Sequence, residues 1–241
     1  MSDLLSRARL ARIDESVARV IATSIPSQDA LDTAFPDASL RSIGQRWEAK
    51  VKPWAYVSGV PIIRRPFEEA EYATAVTWPF EHWQASRYST GRYGVWYGAR
   101  SVETAVWETA YHWYRALLQD VELNKPGQVA HKRVYGVDVE ATLIDLRTLV
   151  QSVPSLVHPT DYRTCQRIGE QIHHEGHPGV LTRSARHRTG QVLAIFNPAV
   201  LSNPAHASYL RYELLDEEIQ IQRGLTEPWF RIPVKDWSHR A

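Results

Sequence analysis

The chain has 241 residues, with 28 basic and 27 acidic side chains and a formal charge of +1. That length suits one large domain, or a domain with an appendage, and buries a sizeable core without covalent staples. The charge balance supplies neither a global basic field that would draw nucleic acid nor the acidic surplus of a disordered tail.

A single cysteine, Cys165, has no intrachain partner and suits a reducing compartment. The first residues mix charge with apolar side chains, unlike a signal peptide, and no apolar run is long enough to span a bilayer. The protein is therefore expected to be soluble and cytoplasmic, with no membrane contact and no direct contact to nucleic acid. Nine tryptophans suit core positions or subsite walls, because an indole buries a large area while its N–H still finds a partner.

In chain order, Leu10, Ile13, Val17, Val20 and Ile21 fall at helical spacing between charged residues, which predicts an amphipathic helix over 4–24. It should end before Pro26. A second short helix is expected from Ser39 to Val51, bracketed by Pro36 and Pro53. Residues 1–50 thus read as a helical N-terminal extension and 51–241 as the main domain. An extended segment is expected at 56–63, a short helix from Glu68 to Thr77, and a proline-containing aromatic loop from Trp78 to Trp83.

Val95, Trp96 and Tyr97 between Gly94 and Gly98 predict a short buried strand. Ser101 is a good N-cap, and Glu103 in the first turn complements the helix dipole. The helix that follows should bury Val102, Ala105, Val106, Thr109, Trp113 and Leu117, with Glu108 and His112 four apart on a neighbouring face. Strands are expected at 133–139, 180–181 and 192–196, with 143–146 extending the sheet or turning a corner. A helix is expected at 161–174, a polar loop at 182–191, and a last hairpin from 209–214 and 218–223. Short strands interleaved with two clear helices, without a regular strand–helix–strand repeat, predict a mixed α+β fold. The dinucleotide fingerprint and the P-loop are both absent.

The residues with chemical potential are Arg87, Tyr97 and Glu108, joined from a distant loop by Ser184 and Arg186. A guanidinium fork suits phosphate or carboxylate, and a glutamate beside a strand–helix junction suits a sugar hydroxyl or a developing cation. His173 and His177 have zinc-motif spacing, but Glu175 is misplaced and Gly176 with Pro178 breaks the helix, so no metal is expected. No G-x-S-x-G nucleophile motif is present.

Three ordered blocks carry a resemblance. Arg87, Tyr88, Ser89 and Gly91 precede the strand Val95 to Tyr97; the segment Ser101 to Glu108 follows; and Gly179 to Arg186 leads to Gly190 and Val192 to Phe196. Together they resemble the RES domain family over roughly 55–200, named for an arginine, a glutamate and a serine. Thr182 and Arg183 stand where that family often has Tyr-Pro.

The resemblance implies an ADP-ribosyltransferase-like mixed sheet core and a bacterial toxin that cleaves NAD at the nicotinamide–ribose bond, by phosphorolysis or hydrolysis. Alternatives are ADP-ribosyl transfer to a protein, or non-enzymatic binding of an anionic ligand. It also implies NAD as substrate, possible use of inorganic phosphate, and an Xre-like antitoxin partner. Carried onto this chain, Glu108 faces the scissile ribose and Arg87 the diphosphate, with Arg186 as a second cation. Tyr97 walls the nicotinamide and Ser184 orients a sugar or amide group.

Overall fold

The computed structural model describes residues 5–23, 73–115, 125–224 and 227–238. In chain order its main elements are β1 (Arg9–Ala22), α1 (Trp78–Glu81), β2 (Ala85–Ser86), β3 (Ser89–Thr90), β4 (Trp96–Ala99) and α2 (Val102–His112). There follow β5 (Val129–Asp145), α3 (Arg163–His174), β6 (Gly179–Arg183), β7 (Gln191–Ile195), β8 (Leu201–Leu214), β9 (Glu218–Arg223), β10 (Glu227–Pro233) and α4 (Lys235–Ser238). The architecture is mixed α+β.

Among the described residues, eight strands form one sheet in the order β1-β4-β7-β6-β5-β8-β9-β10, and β1 also pairs with β5. That extra pairing closes β1, β4, β7, β6 and β5 into a ring. β5 makes the closure possible because it is long. One edge pairs antiparallel with β1 from Arg9↔Asp145 to Ala22↔Lys132. Its other edge takes β8 from Val129 to Val139 and then β6, in parallel, at Ile144 and Asp145. Register shifts against β8 around Tyr135 and Gly136 mark the irregularity at which such a strand bends.

The expected helix over 4–24 is corrected by this pairing. Ile13, Val17 and Ile21 recur every four residues, a spacing that fits a helical face and equally fits one side of a strand. β-Branching and the open edge of β5 favour the strand. From Arg9 to Ala22 the N-terminal segment is thus extended, not helical; the expected helix at 39–51, the extended segment at 56–63 and Leu117 lie outside the described residues. A π-helical turn at Ala73–Thr77 runs into α1, so a helical turn replaces the aromatic loop expected at 78–83.

Ile13, Val17, Trp96, Val137, Leu143, Leu181, Leu193 and Ile195 form one buried cluster drawn from all five ring strands. Successive strand residues face opposite ways. Val180 and Ala194 therefore meet Cys165, Ile168 and Ile172 of α3 on the other face. α2 lays Ala105, Val106 and Ala110 in a further cluster with Ala18, Val20 and residues of β8 to β10. At one end of the ring, Arg100 ties Glu15 (2.6 Å) to Gln191 (2.9 Å), and Arg147 ties Gln191 (2.7 Å) to Asp145 (2.7 Å). Gly169 lets α3 approach the Tyr88 carbonyl, where a Cβ would collide with it. No described helix is long and apolar enough to cross a membrane.

Candidate active site

α2 begins where the sequence signals it. The Ser101 hydroxyl accepts from the Thr104 amide (3.2 Å), and the Thr104 hydroxyl meets His187 Nδ1 at 2.9 Å. Gly190 packs so closely on Thr104 that any side chain there would clash. The loop after β6 is thereby fastened to the start of α2, and Ser184 comes to face Glu108.

Ser184 Oγ donates to Glu108 Oε1 at 2.5 Å and accepts from the amides of Arg186 (3.0 Å) and His187 (2.8 Å). This one hydroxyl shapes the turn and holds the carboxylate. The other carboxylate oxygen lies 3.9 Å from Arg186 Nε, and the Glu108 side chain keeps about 22 % of its surface exposed. Arg186 itself is almost sealed, with only 2 % of its side chain exposed. Its Nη2 donates to the Pro159 carbonyl (2.6 Å) and the Tyr162 hydroxyl (3.0 Å), and its guanidinium lies 3.4 Å above the Tyr111 ring. Burial lowers its pKa, and Glu108 opposes the shift.

Arg87 follows β2. Its Nη1 donates to the carbonyls of His158 (2.9 Å) and Leu156 (3.4 Å), and its guanidinium sits 4.4 Å from the Tyr162 ring centre. Nη2 is buried with no hydrogen-bond partner among the described residues. Burial works against this charge, but Tyr162 and Glu108 more than offset it and the pKa rises. Tyr97 Oη donates to Ser86 Oγ (2.9 Å) and accepts from the Tyr88 amide (3.1 Å), holding the residues on both sides of Arg87. Burial raises the pKa of this phenol to about 12, so it stays protonated.

Arg87, Tyr97 and Glu108 line one cleft of about 410 Å³ between the ring, α2 and the segment before α3. Ser184 and Arg186 do not line it. They border a second hollow of about 460 Å³ with Trp107, Tyr111 and Trp237, and so stand behind Glu108 as its supports. The Arg186 guanidinium is held by Pro159, Tyr162 and the Tyr111 face and lies outside the cleft that Arg87 lines. His173 stacks on Tyr93 at 4.0 Å, and His177 pairs with Glu175 at 3.6 Å beyond the end of α3.

Arg19, Thr182 and His112 also line the cleft, beyond the expected site residues. Arg19 of β1 donates from Nη1 to the Tyr97 carbonyl at 3.0 Å, while its buried Nε has no hydrogen-bond partner among the described residues. Burial lowers its pKa to about 10, leaving it charged at neutral pH. Nothing in the sequence distinguishes it from the surrounding surface charges of β1. Thr182, only 2 % exposed, has an Oγ1 near the Tyr88 hydroxyl that makes no hydrogen bond of ordinary geometry. His112 stands one turn beyond Glu108, and only its spacing of four hinted at a shared site.

The RES domain family model matches residues 62–215. The chain belongs to the RES domain family. Among solved structures, this RES domain is similar to the M. tuberculosis MbcT–MbcA toxin–antitoxin complex, at 16% identity and a TM-score of 0.44, over 86% of this chain and 90% of that one. No curated protein matches it. Arg19 lies outside the matched residues and reaches the cleft of the RES domain only because β1 is built into the sheet.

Proposed function

We propose that this RES domain is the toxin of a toxin–antitoxin pair and cleaves NAD at the bond between nicotinamide and ribose. The observation that carries the reading is the convergence of Glu108, fixed by Ser184 across 76 positions of sequence, with Arg87 and Tyr97 around one cleft. Breaking that bond releases neutral nicotinamide and builds oxocarbenium-like charge on the sugar. A preset carboxylate stabilises such charge without reorganising at the moment of reaction.

Glu108 is the group placed for this work. Ser184 leaves its carboxylate with free lone pairs for ribose hydroxyls, and Arg186 steadies it from behind. Arg87 and Arg19 are cations of the cleft wall, and their guanidinium groups suit phosphate oxygens. Tyr97 supplies a rigid wall for the nicotinamide ring. The implied antitoxin would silence the enzyme by covering this cleft.

Purified protein mixed with NAD is expected to release nicotinamide. Wild-type protein that leaves NAD intact, with and without phosphate and with candidate protein acceptors, would sink the enzymatic reading in favour of a binding module. An antitoxin that co-purifies while nicotinamide release continues at the free-enzyme rate would remove cleft covering from the proposal.

A further inference from the structure

Neither ring nitrogen of His112 takes part in a hydrogen bond among the described residues, although the side chain lines the same cleft as Glu108. The two residues are four apart on α2, which sets their Cβ atoms about 5–6 Å from each other on one helical face. Glu108 is engaged by Ser184 and Arg186. His112 has no such engagement, and its only described ring contact is an edge approach to Tyr111 at 5.4 Å. A free imidazole beside a committed carboxylate is suited to proton transfer, whereas the carboxylate is suited to holding charge.

Resting on the NAD-cleavage reading, we propose that His112 is the general base that takes the proton of an attacking water, which makes water the acceptor at this site. The C1′–N bond to nicotinamide breaks with its electron pair on the ring nitrogen, which becomes neutral. The water oxygen forms the new C1′–O bond, and the proton released passes to His112 and then to solvent. The products are nicotinamide, ADP-ribose and one proton.

The surroundings keep this base ready. Packing in the cleft lowers the imidazole pKa from its ordinary value. Arg186 from the loop after β6, Arg87 from beside β2 and Lys132 from β5 push in the same direction. Glu108, on the same helix, is the one group among these that pulls it back up. The balance favours the neutral imidazole, the form that accepts a proton.

The test is nicotinamide release from pH 5 to 9, in phosphate-free buffer and with added phosphate, for wild type, His112→Gln and His112→Ala. Wild type should turn over without phosphate and lose activity on the acid side, with a midpoint below about 6.5. His112→Gln should lower the water-dependent rate roughly 10²–10⁴-fold and abolish the acid limb, and imidazole should restore His112→Ala. Calorimetric titration with ADP-ribose should show unchanged affinity in both variants, separating loss of a base from loss of the cleft.

An unchanged water-dependent rate, an acid limb that survives in His112→Gln, or wild-type turnover that requires phosphate would overturn the assignment of His112. Loss of ADP-ribose affinity in both variants would likewise make its role structural. Wild-type protein that releases no nicotinamide under any of these conditions removes the NAD reading itself, and this inference with it.

Discussion

Ser184 and Glu108 are 76 positions apart in sequence, yet their side chains meet at 2.5 Å, and the same serine oxygen caps two amides of its own turn. Replacing it therefore loosens a carboxylate and a loop together. Ser184→Ala should slow nicotinamide release roughly 10–100-fold and cost about 1–3 kcal/mol, the scale of a lost hydrogen bond to a charged group. Urea unfolding and steady-state kinetics read the two effects separately; a variant with wild-type kinetics would show that Glu108 needs no anchor.

Glu108→Ala should leave the fold intact and slow NAD cleavage by roughly two to four orders of magnitude, as expected for loss of a positioned electrostatic or acid–base group. Circular dichroism checks the first expectation and nicotinamide release the second. Cleavage at the wild-type rate would take Glu108 out of the mechanism.

Arg19→Gln removes a charged donor from the cleft wall while keeping a polar side chain. The KM for NAD should rise roughly tenfold with kcat changed much less, the pattern of lost uniform binding. A fall in kcat at constant KM would instead assign Arg19 to holding the Tyr97 backbone.

Lys132 gives a pH signature. It is 6 % exposed, lies 5.7 Å from the centre of the Tyr212 ring, and burial depresses its pKa to about 8. Between that value and about 10.4 the unfolded chain binds the proton and the folded chain does not, so stability rises with pH across this window. Lys132→Met should raise stability near pH 7 by on the order of 2–3 kcal/mol and remove the alkaline rise. Urea midpoints at pH 7 and pH 10 test this, and equal slopes in the two proteins would refute it.

Gly169→Ala should cost roughly 1–3 kcal/mol, because the added methyl drives α3 off the Tyr88 carbonyl. Since that turn carries Arg87, the KM for NAD should increase as well. Thermal unfolding with kinetics on the same sample decides; an unaffected KM would separate helix docking from the site.

The sequence made the segment from Arg87 to Glu108 legible because its signals are local: two glycines around an aromatic strand, an N-cap serine, and a helix whose apolar face is unbroken. β1 was opaque because a spacing of four satisfies both a helix and a strand, and only the free edge of β5 decides between them. β10 was missed for a related reason. Pro228 and Pro233 depress a strand reading, yet proline is tolerated on a sheet edge. Arg186 shows the same limit, because its charge is visible in sequence while its burial against Tyr111 is not.

The pairing of β1 with both β5 and β4 also bears on how the chain tolerates shortening. A fragment starting at residue 62 would keep Arg87, Tyr97, Glu108 and Ser184, and so nearly every reactive group. It would also leave one whole flank of β5 with unpaired amides and carbonyls, a template for strand addition between molecules. Such a fragment should accumulate as aggregates, and its inactivity would reflect a missing seam in the barrel, with the chemistry still encoded.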